Sequence, residues 1–162
     1  MSEPSFLRHT LATLAYRAEK VLRDAPAGFA ETRAGPTTRT PLQILTHMGD
    51  LMEWGERMAR GERRWQHLAC GSWGDAHARF FAGLAALDAA LSEAAPDEAA
   101  QAAIFQGPVA DALTHVGQLA MLRGMSGAPV RPESYARAAI RAGNVGLTQS
   151  AERVEFDGDA SA

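Results

Sequence analysis

The chain has 162 residues, 46% of them hydrophobic and 22% charged, which suits one globular domain long enough to bury a full core. A formal net charge of -3 leaves no electrostatic footprint for a phosphate backbone and argues against nucleic acid as a partner. Charges interrupt MSEPSFLRHTLATLAYRAEK before a signal-peptide core develops, and no run approaches the roughly 18 apolar residues of a membrane span, so a soluble cytoplasmic protein is expected.

In chain order, the first predicted element is a helix from Phe6 to about Arg23. Leu7, Leu11, Leu14, Ala18, Val21 and Leu22 recur there at steps of three and four, the mark of one buried face. Pro26 and Gly28 stop it, and the polar stretch GFAETRAGPTTR leads to the strongest start signal in the chain. Thr40 reads as an N-cap, Pro41 as the first helical residue and Gln43 as the partner in a capping box, so a second helix should run from Pro41 to Gly61.

The single cysteine, Cys70, excludes an intramolecular disulfide and a cysteine-rich zinc site, and it reads as an inert thiol in a loop. A third helix is predicted from Trp73 to about Ala94 on the stripe Trp73, His77, Phe80, Leu84, Leu87 and Leu91. After a loop around Pro96, a fourth should open at Pro108 and extend to Gly124. Pro132 to about Arg141 reads as a shorter fifth helix, and the polar tail from Ala151 reads as mobile. No alternating strand pattern competes. The expectation is an all-α four-helix bundle over residues 1–150 with a short additional C-terminal helix, and with sites between facing helices.

Two helices carry chemistry in otherwise apolar surroundings. Asp111 and His115 lie about 40° apart on a helix, one turn above each other, with Gln118 continuing the face, so both side chains can reach one common atom. A plain solvent face of Asp111, Thr114, His115 and Gln118 is the competing reading, although Asp111 and Arg123 are the only charged residues from Pro108 to Gly124. In the second helix His47 is centred among Ile44, Leu51, Trp54 and Met58, with Asp50 about one turn on. Together His47, Asp111 and His115 would present two neutral imidazoles and one carboxylate, a set that binds divalent transition metals and leaves positions open for water or substrate.

The segments TPLQILTHMGDLMEWG, GPVADALTHVGQLAMLRGMSGAPV and SYARAAIRAGNVG resemble the DinB-like family of small bacterial four-helix-bundle proteins, over most of the chain. The resemblance implies a divalent metal, commonly zinc or nickel, held by a histidine on the second helix and an HxxxH pair further on. The matching positions are His47, Asp111 and His115, and Asp111 departs from the pattern by replacing the first histidine of the pair. The family further implies a homodimer, an unidentified small-molecule substrate, and metal-dependent transferases and isomerases that use low-molecular-weight thiols. Asp50 is then a candidate catalytic residue, either orienting His47 through its second ring nitrogen or acting as a base.

Among the remaining residues, His77 reads as a core histidine and as the substitute ligand should Asp111 not serve, His9 as solvated, and His67 as a loop residue able to line a pocket mouth. Arg57, Arg60, Arg63 and Arg64 form either an anion site or, with Glu56 and Glu62 interspersed, a solvated charged face. Met48, Met52, Met58, Met121 and Met125 read as core filler. The function expected is a metal-dependent enzyme, a thiol-dependent transferase or a hydrolase. The competing expectations are a non-catalytic helical binding or stress-response module with structural or no metal, and a non-haem iron oxygenase suggested by the ligand count alone.

Overall fold

Helix starts in this chain are written in short capping sequences. In the computed structural model, which describes residues 5–69 and 71–157, helix α1 (Phe6–Leu22) begins where the Ser5 hydroxyl accepts from the Arg8 amide. Helix α2 (Pro41–Ala59) opens with the expected Thr40 and Gln43 capping box and with Pro41 in its first turn. Helix α3 (Trp73–Glu93) opens with a second capping box, Ser72 with Asp75. Cys70, expected in the preceding loop, lies outside the described residues.

The last long helical stretch differs from expectation. It begins at α4 (Glu98–Ile104), capped by Asp97, well before Pro108, and passes through a π-helical turn at Phe105–Val109 into α5 (Ala110–Met125). Pro108 reads as a helix start because it has no N–H to give and its ring collides with the carbonyl four residues back. Here the wider π turn accommodates the proline inside a continuous helix, which places the backbone irregularity immediately before Asp111.

The four helical stretches pack as an all-α bundle whose core is filled by Leu11, Leu14, Leu45, Met48, Met52, Phe80, Leu84, Leu87, Ile104 and Leu119, all essentially inaccessible to water. Helices α2 and α3 approach most closely where side chains vanish. A Cβ at Gly83 would lie 2.8 Å from Met52 Cβ, and one at Gly55 would lie 3.0 Å from Leu87 Cδ2. Of the methionines expected in the core, Met48 and Met52 are buried and Met58 packs against it, whereas Met121 and Met125 stand on the outer face of α5 at 62% and 57% exposure.

The fifth helix expected over Pro132–Arg141 is reduced to one 3-10 turn, Tyr135–Arg137. The backbone before that turn is committed to extended pairing: Glu133 bridges Glu155, the Ser134 amide donates to Val154, and the Phe156 amide donates to Pro132. Within the tail expected to be mobile, Arg153 and Glu155 are tied to α1, and residues 158–162 lie outside the described residues. Arg153 donates to Glu19, and the buried Lys20 ammonium donates to both Glu133 and Glu155. Periodicity could not find these contacts, since a polar tail and a buried lysine each look solvated until they meet. No helix among the described residues is long and apolar enough to cross a membrane.

Candidate metal centre

Helices α2 and α5 bring His47, Asp111 and His115 together. Each offers one donor atom, and the three donors lie within 4.8 Å of one another. His47 Nε2 is 3.2 Å from Asp111 Oδ2, and His115 Nε2 is 3.5 Å from Asp111 Oδ1. The two imidazoles meet edge to face with centroids 5.1 Å apart. Donors bound at about 2.1 Å in a tetrahedron stand roughly 3.4 Å from each other, so these separations suit one small divalent cation. The donor set suits it as well: nitrogen and oxygen ligands of intermediate softness, three in number, leave a fourth position open.

The surroundings orient the donors. Gln118 Oε1 lies 2.7 Å from His115 Nδ1, a contact that assigns the proton to Nδ1 and leaves the Nε2 lone pair toward the cluster. Trp65 presents an edge-on ring to His47, at 5.8 Å between centroids. Burial lowers the proton affinity of His47, the nearby His115 and Arg39 lower it further, and the hydrogen bond to Asp111 works against them. The net direction is downward, which favours the neutral, ligating form. Asp111 is the exposed member of the set, its side chain 46% accessible.

Three cavities touch the cluster, one at Asp111 and two beside its histidines. Of the latter two, one, of about 360 Å³, is mostly apolar and is walled by Ile44, Met121 and Leu122, with His115, Gln118 and Arg39 at its polar side. The other, of about 370 Å³, is lined by Arg39, Gln43, His47, Trp65 and His67. Arg39 borders both, and among the described residues its guanidinium makes no hydrogen bond or ion pair. Composition gave no hint of Arg39, which simply precedes the Thr40 cap; only the packing of the α1 to α2 connection beside α5 brings it here.

Asp50 does not bond to His47. Its fully buried carboxylate accepts from Arg79 Nη2 at 2.6 Å, pairs with His67 Nδ1 at 2.7 Å and accepts from the Leu68 amide at 3.3 Å. One turn of helix places Asp50 beside His47 in sequence, but it turns the side chain toward α3 and the loop after α2. His67 does line a cavity mouth, while His9 is exposed. His77 packs against Phe81, outside the ligand cluster. Arg57 and Arg60 are taken up by Glu53, Glu56 and Glu93, as a solvated charged face requires.

No protein-family model, no curated protein and no solved structure matches this chain.

Proposed function

We propose that this chain is a DinB-like metal-binding protein that holds one divalent transition metal, zinc or nickel, through His47, Asp111 and His115, and that it is a metal-dependent enzyme of the thiol-dependent transferase or hydrolase type. The observation carrying this reading is the convergence of three donors from two helices at spacings that suit a single ion. When bound, such an ion supplies Lewis-acid polarisation of a substrate oxygen or sulfur. The chain supplies the rest. Gln118 fixes the His115 ring, the apolar cavity takes the substrate body away from water, and Arg39 is placed to hold a carboxylate. Separate cavities beside His115 and His47, with Arg39 lining both, suit a reaction between two molecules, such as a thiol and its acceptor, better than hydrolysis of one. A homodimer belongs to the same reading, with Met121 and Met125 as apolar surface for a second copy to cover.

A second reading has its own support. The His47 ring already hydrogen-bonds to Asp111, and His115 to Gln118, so the cluster can stand as a purely structural polar link between α2 and α5 in a non-catalytic module. Elemental analysis separates the two. The first reading expects about one divalent ion per chain in the purified protein and its loss in His47→Ala and His115→Ala. Negligible metal in all three proteins, with no uptake from added zinc or nickel, leaves the structural reading standing alone.

A further inference from the structure

The loop after α2 brings an imidazole to a buried carboxylate outside the metal cluster. Asp50 has no accessible side-chain surface, and Arg79, itself paired with Glu53, donates to its Oδ1 from behind. The Leu68 amide donates to the same oxygen, which leaves Oδ2 for His67 Nδ1 at 2.7 Å. A carboxylate so fully held has one geometry to offer, and the imidazole must present Nδ1–H to it. In the neutral ring the other nitrogen, Nε2, is then the acceptor, on a side chain 68% accessible to solvent that lines the cavity shared with His47, Trp65, Gln43 and Arg39. For a loop that only needed pinning, the amide of Leu68 already does so.

We propose that Asp50 and His67 are the proton-transfer pair of this site, with His67 as the group that meets the reacting molecule and Asp50 as its positioning residue. His67 Nε2 takes the proton of an O–H or S–H group in the cavity. The new bond is N–H, the electron pair of the broken bond stays on oxygen or sulfur, and the Asp50 carboxylate stabilises the imidazolium that results. The pair returns the proton to the product in the reverse sense. This rests on the reading above that the cavity beside His47 holds the reacting molecule, whereas the pairing of Asp50 with His67 stands on its own contacts.

The test uses the full-length protein. Nitrogen-15 spectra of the imidazoles give the tautomer of each ring, and the expected result is His67 protonated at Nδ1 in the wild type. Carbethoxylation by diethyl pyrocarbonate, located by peptide mass spectrometry, then reads the availability of Nε2. His67 should react several-fold faster than the exposed His9 of the same molecule, and Asp50→Asn should bring it down to the His9 rate. The wild-type spectrum decides even where Asp50→Asn does not fold. His67→Ala should leave metal content unchanged, so that loss of metal in His47→Ala reports on the triad and not on this pair. A His67 ring protonated at Nε2, or one modified no faster than His9, overturns the proposal whatever metal the protein carries.

Discussion

At position 111 a carboxylate offers what a third imidazole would not: under the proposed reading it would bring one negative charge to a cation, and its two oxygens face separate histidines. Asp111→Asn keeps the shape and removes the charge, and zinc affinity measured by chelator competition should fall further than for any neighbour that only orients a ligand. Gln118→Leu is such a neighbour. Losing the acceptor for His115 Nδ1 should weaken zinc binding about 10- to 100-fold while leaving the fold intact. The pH dependence follows from His47. Because burial holds its pKa below the ordinary imidazole value, its neutral form contributes stability to the metal-free protein that is fully present above about pH 6.5 and is lost as the pH falls through the lowered value. Protons would compete with a bound metal over the same acidic range. Thermal denaturation of the metal-free protein across pH 4 to 8 should show this loss in the wild type and a smaller one in His47→Gln.

Among the elements, α2 is tied most tightly to its neighbours, and its glycine contacts say why. The Gly83 position of α3 rests on Met52, where an added methyl group would come within 2.8 Å of a buried Cβ that cannot swing away. Gly83→Ala should therefore lower stability by about 1–3 kcal/mol despite alanine's better helix propensity, as read by urea denaturation. The start of α2 was legible because a cap is local chemistry: Thr40, Pro41 and Gln43 act within one turn. The start of the final helix was not, because the same proline signal is compatible with an internal π turn once packing favours continuity. Trp54, which lies 3.6 Å from the position a Gly107 Cβ would occupy, shows how closely that turn is packed on α2.

Across the whole molecule, the C-terminal segment is held by charge. Lys20 and Glu133 are both nearly inaccessible, and Glu133 also accepts from the Tyr16 hydroxyl. Removing one partner strands the other, so Lys20→Met should cost about 3–5 kcal/mol and release residues around Glu133 and Glu155 to proteolysis. Burial works to raise the Glu133 pKa, but the bonds from Lys20 and Tyr16 prevail and hold it below the usual carboxylate value. Its contribution to stability is thus complete above about pH 4.3 and disappears as the pH falls through the lowered value.

What the amino-acid order determined unaided was local: helix periodicity, the Thr40 capping box, the all-α class, and the phasing that puts Asp111 and His115 on one face of α5. These depend on interactions within a turn or two of chain, which any reader of the sequence can trace. The tertiary structure alone decided which of the chemically able side chains meet. It joined His47 to Asp111 across 64 positions, turned Asp50 from His47 to His67, set Arg39 between two cavities and captured a polar tail on α1. Each of those outcomes depends on the relative placement of packed elements, to within the reach of one side chain, and no short-range pattern encodes that placement.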